Sequence, residues 1–115
     1  VILTFELSSA MGEMEMTLAI DTEVVLLEYA RNVVSFWASS KQVLAASGDD
    51  DYQALARYAA PSLWLYLLDG YNEAGAVEEL LEQEGWGWPG GGGLRIVSHE
   101  LPCFSAASLQ VEVHS

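Results

Sequence analysis

The hydrophobic period changes along this chain: residues alternate apolar and polar at both ends and recur at helical spacing in between. Val1, Leu3, Phe5 and Leu7 alternate with Ile2, Thr4 and Glu6, and Met14, Met16, Leu18 and Ile20 alternate with Glu13, Glu15, Thr17 and Ala19. A period of two puts one set of side chains on a buried face and the other on a wet face, so both segments are half-buried strands. Ser8 to Gly12 joins them through a permissive glycine, which suits an antiparallel hairpin. Near the other end Leu94, Ile96 and Ser98 alternate with Arg95, Val97 and His99, and Leu109, Val111 and Val113 alternate with Gln110, Glu112 and His114. Pro102 to Ala107 connects this second antiparallel pair.

Between the hairpins the spacing is helical. Asp21 offers an N-cap oxygen and Glu23 a charge that the helix dipole favours. Leu26, Tyr29, Ala30, Val33, Phe36, Trp37, Val43 and Leu44 then carry one apolar stripe, which predicts a first helix over 22–46, stopped by Ser47-Gly48. After Asp49-Asp50-Asp51 a second stripe runs through Leu55, Tyr58, Ala59, Leu63, Trp64, Leu67 and Leu68 to Asp69-Gly70, with Pro61 predicting a kink or boundary near Ala60. Asn72 caps a third helix carrying Ala76, Val77, Leu80 and Leu81, which Gly85 closes. Trp86-Gly87-Trp88-Pro89 and Gly90 to Gly93 then form a loop. The order ββαααββ predicts an α+β domain spanning 1–115: a four-stranded antiparallel sheet, made of two terminal hairpins, with two to three helices packed on one face. The other face carries Glu6, Glu13, Glu15, Thr17, Arg95, His99, Gln110 and Glu112. Trp64 to Leu68 is apolar all round, so that helix is buried on more than one side, by the third helix or by a second copy of the chain.

Length and charge narrow the function classes. At 115 residues the chain has the size of one domain. It combines a net charge of −13 with 51% hydrophobic residues, a pairing foreign to disordered acidic tails. So few cations argue against direct binding of nucleic acid or of anionic membranes. No stretch approaches the ~20 apolar residues of a membrane helix. The first residues lack the basic and small-residue pattern of a signal peptide, and the lone Cys103 cannot form an internal bridge. The expected location is therefore cytoplasmic.

No catalytic constellation is visible. Asp49 to Asp51 lacks the glycine and glutamate of a calcium loop, and reads instead as a cap for the second helix. His99 and His114 would lie ~15 Å apart in a hairpin, too far for a zinc pair. The glycine tract leaves a helix and enters a strand, the reverse of a phosphate loop. Cys103 has no basic neighbour to lower its pKa. No serine elbow exists, and the acids of the third helix read as a solvated face. Neither a metal nor a cofactor is expected. Trp86 and Trp88 anchor the loop on the sheet end, or line an aromatic pocket that attracts a cation.

Phe36-Trp37, Glu82-Gln83-Glu84-Gly85-Trp86, Trp88-Pro89 and Gly93-Leu94-Arg95-Ile96-Val97 resemble a family of small, acidic, uncharacterised bacterial proteins carried on mobile gene cassettes (integron cassettes) or prophage-like elements. The resemblance runs from the first helix to the third strand and implies no activity. The four-glycine tract and Pro61 depart from that pattern.

The favoured expectation is a non-enzymatic interaction or binding protein that self-associates as a homodimer, with Trp37, Trp64, Tyr66, Trp86 and Trp88 as candidate interface or ligand residues. One alternative is an acidic mimic of DNA that inhibits a nucleic-acid-binding protein by engaging its basic surface. Another is a small-molecule binder whose aromatic pocket favours cationic ligands.

Overall fold

A computed structural model of the chain describes residues 1–8 and 15–100. Strand β1 (Ile2–Ser8) pairs antiparallel with β2 (Glu15–Asp21), and β2 pairs antiparallel with β3 (Leu94–Glu100), so β2 is central. Between β2 and β3 run α1 (Leu27–Ser35), α2 (Ser40–Ala46), α3 (Asp51–Leu68) and α4 (Glu73–Leu81). The class is α+β, as the pattern predicts. Among the described residues the sheet has three strands; the expected fourth, over Leu109 to Val113, and its Pro102 to Ala107 connection lie outside them, as do residues 9–14 of the first hairpin.

The period-two reading locates the core. Leu3, Phe5 and Leu7 lie opposite Ile20, Leu18 and Met16, so these six share one face. Met16, Leu18 and Ile20 are almost fully buried beneath the helices, which on area arguments stabilises the fold by up to ~1.5–3 kcal/mol each. Helix α3 packs on β1 and β2, and α4 on β3. The outer face carries Glu6, Glu15, Thr17 and Arg95, as expected. His99 does not join them. A bulge between Thr17 and Leu18 leaves Val97 unpaired, so Ser98 lies opposite Thr17 and His99 opposite Met16, on the helix side. There His99 Nδ1 sits 3.2 Å from Glu73 Oε2 at the start of α4.

The expected long first helix is two helices, so four are present among the described residues rather than two to three. Its start moves to Leu27 because Asp21 caps a turn instead: its carboxylate accepts from the Glu23 amide, and its carbonyl from those of Val24 and Val25. It breaks at Phe36 to Ser39, where tight bonds from Phe36 N to Val33 O and from Trp37 N to Val34 O end α1. The apolar period continues across this break because Trp37 still turns inward, stacking on Tyr58 of α3 with ring centroids 5.4 Å apart and planes at 16°. Helix α3 runs unbroken through Pro61, from an N-cap in which Asp50 accepts from the amides of Tyr52 and Gln53. Asn72 caps α4 by accepting from Gly75 N at 2.7 Å.

Two glycines fix how the loops return. Gly85, at φ +86°, lies under the Phe36 ring, where a Cβ would come within 2.4 Å of a ring carbon. Gly93, at φ +81°, leaves no room for a Cβ beside Val24 and Val25. Gly85→Ala adds backbone strain to overpacking, so a loss of about 2–4 kcal/mol is expected in denaturant unfolding. Phe36→Ala in the same chain removes the clash, and the double variant loses less than the sum of the two single losses.

Tyr52 ties the turn after β2 to α3 by donating its hydroxyl proton to Val25 O at 2.8 Å. Burial first, then the carboxylates of Asp50 and Asp51, raise its phenol above the ordinary 10.0. The unfolded chain therefore ionises this group before the folded one. Stability present below pH ~10 declines as pH rises through the folded pKa. Tyr52→Phe is expected to flatten the alkaline limb of a stability–pH curve, while costing about 1 kcal/mol near neutrality from the lost hydrogen bond.

Candidate interaction surface

Helix α3 buries Ala54, Leu55, Ala56, Ala59, Ala60, Leu63, Trp64 and Leu67 among its neighbours. Its exposed residues Arg57, Pro61, Leu65 and Leu68, with the exposed C-cap Asp69, make one outward stripe at helical spacing. Leu65 is 65% exposed and Leu68, the last residue of α3, 42%. Tyr58, Ser62 and Tyr66 flank them, half-buried. From 52 to 68 there is no Asp or Glu, in a chain that has seventeen.

Aromatic packing stiffens both ends of the stripe. Beside Tyr58 lie Trp37, stacked on it, and Phe36, edge-on to Trp37 at 5.3 Å. The Tyr58 hydroxyl is 2.7 Å from Ser39 Oγ. At the other end Tyr66 meets Tyr71 edge-on at 5.4 Å. Burial raises the Tyr66 phenol, with smaller contributions from Glu79 and Tyr71, so at neutral pH it is an uncharged hydroxyl.

The five aromatic residues singled out from the sequence do not form one site. Trp37 and Tyr66 border the stripe at opposite ends. Trp64 points into the core, with Nε1 3.5 Å from Glu15 O. Trp86 and Trp88 are buried in the loop before β3, and Trp88 closes it by donating from Nε1 to Gly92 O at 2.9 Å. No two of the five are stacking partners among the described residues. The surface residues that sequence reasoning missed are Arg57, Pro61 and Asp69. Their signal was the four-residue recurrence Arg57, Pro61, Leu65, Asp69 on the face opposite Leu55, Leu63 and Leu67.

Two clefts lie elsewhere, and none of the five aromatics lines either. One of about 580 Å³ borders β3 and the start of α4, with Asp21, Glu73 and Arg95 among its walls. The other, about 440 Å³, sits at the acidic end of the sheet, where Glu15 and Glu100 are register partners beside Glu6. Among the described residues no group of three His, Cys, Asp or Glu could hold a metal ion. The Asp49 to Asp51 run is structural where it is engaged: Asp50 caps α3, and Asp51 receives Arg31 Nε at 3.2 Å. Cys103 and His114 lie outside the described residues.

The chain matches no protein-family model, no curated protein and no solved structure. Among the described residues, no helix is long and apolar enough to cross a membrane. The physical features of the surface are therefore what bear on function.

The Trp37 indole N–H is buried without a hydrogen-bond partner, a desolvation cost of about 1–3 kcal/mol carried for the sake of the ring. Trp37→Phe keeps an aromatic face on Tyr58 and removes the orphaned donor. It is expected to change unfolding free energy by under ~1 kcal/mol, whereas Trp37→Ala loses about 3 kcal/mol or more.

Proposed function

We propose that this chain is a non-enzymatic interaction protein that associates with itself through the outward face of α3. The observation that supports this most is the exposure of Leu65 and Leu68 on a helix already buried on its other sides. A helix that carries exposed leucines beyond the face packed on its own core has apolar surface left over for a partner. The stripe has the composition of an interface core: aliphatic and aromatic residues, an arginine, and no carboxylate between Asp51 and Asp69. Long-range repulsion between two copies at −13 is weakest where like charge is absent. The acids elsewhere keep other faces apart, so charge selects the seam while apolar burial supplies affinity.

Sedimentation equilibrium in reductant, used because Cys103 could cross-link copies, tests this. A monomer–dimer equilibrium is expected between micromolar and millimolar concentration. Leu65→Asp, which places a charge on the stripe at an exposed position, should leave a folded monomer whose stability matches that of the wild type at concentrations where the wild type is also monomeric. A wild-type chain that stays monomeric across that range refutes the proposal, as does an unaltered dimer in the variant.

A further inference from the structure

We infer that the two copies pair α3 against α3 antiparallel about a twofold axis at the level of residue 63, with each Arg57 facing the partner's Asp69. This rests on the self-association proposed above and adds its geometry and register. In a twofold pair of antiparallel helices whose i±4 ridges are aligned, which sets a crossing of about −50°, residues of one ridge equally far on either side of the axis face each other. The outward stripe is self-complementary under that rule. Arg57 and Asp69 lie six residues on either side of 63, and Pro61 and Leu65 two on either side. Shifting the register by one turn of helix places Arg57 beyond Asp69 and superposes Leu65 on its own copy, so one register satisfies charge and shape together.

The charges themselves point the same way. Arg57 is one of four Lys and Arg in the chain, and both it and Asp69 are exposed without an ion-pair partner among the described residues. Asp69 is the C-cap of α3, where the negative end of the helix dipole disfavours a carboxylate. A guanidinium delivered by a second copy offsets that repulsion. Arg57 donates to Ala46 O at 3.2 Å, a contact that holds its side chain on the outer surface at the end of α2.

Charge reversal tests the register. Arg57→Glu and Asp69→Arg should each weaken dimerisation about tenfold or more, because a twofold dimer contains the pair twice. Mixing the two single variants should restore association to within about threefold of wild type, since the mixed dimer recovers both opposite-charge pairs. Where a reversal unfolds the chain, judged by circular dichroism, Arg57→Gln and Asp69→Asn replace it. Each then weakens association alone, and together they weaken it no further. A wild-type dimer whose single variants are unaffected, or whose mixture fails to recover, overturns this register while leaving self-association standing. A wild-type monomer at every concentration overturns both.

Discussion

Helix α3 packs against α1, α2 and α4 and against β1 and β2, so the position of nearly every other element follows from it. Its alanines make this possible. Ala54, Ala56, Ala59 and Ala60 are fully buried with little side-chain bulk, while Leu55, Leu63 and Leu67 fill the core around them. A helix used in this way must be apolar on several sides at once, and it leaves one apolar side over. The outward stripe is thus a consequence of the packing that holds the domain together.

The distribution of charge complements that constraint. A net charge of −13 on a chain with 51% hydrophobic residues separates into regions: carboxylates at one end of the sheet, in the turn before α3 and along α4, and none across 52–68. Repulsion keeps the acidic regions solvated and apart. It also leaves the α3 face as the place where two copies can approach at least electrostatic cost. The elements that hold no catalytic or metal-binding arrangement among the described residues are nonetheless ordered by caps and close contacts, such as Asp50 on α3 and Phe36 on Gly85.

Strands β1 and β2 and the N-cap of α3 were legible in the sequence, because period-two alternation and an Asp before a helical stripe are local signals. The Asn72 cap of α4 was legible for the same reason, whereas the helix ends at Leu81 with Glu82 as its C-cap, ahead of the expected stop at Gly85. The break at Phe36 to Ser39 was not, since Trp37 keeps its inward direction across the interruption and the apolar period therefore never lapses. The bulge at Val97 was equally hidden: one unpaired residue moves Ser98 and His99 to opposite faces, and no residue type announces it. The candidate site was half legible. Large aromatic side chains signal either burial or an interface, and only packing shows that Trp64, Trp86 and Trp88 are interior while Trp37 and Tyr66 reach the rim. Arg57 and Asp69 gain meaning only once the exposed face of α3 is known.

Contact between α3 and α3 of a second copy is read out by isotope-filtered NMR on an equimolar mixture of labelled and unlabelled chain. Intermolecular Overhauser contacts are predicted between the Leu65 methyls and Pro61. Contacts confined to the outer sheet face, at Ile2 or Val97, or the absence of any intermolecular contact at millimolar concentration, would contradict it.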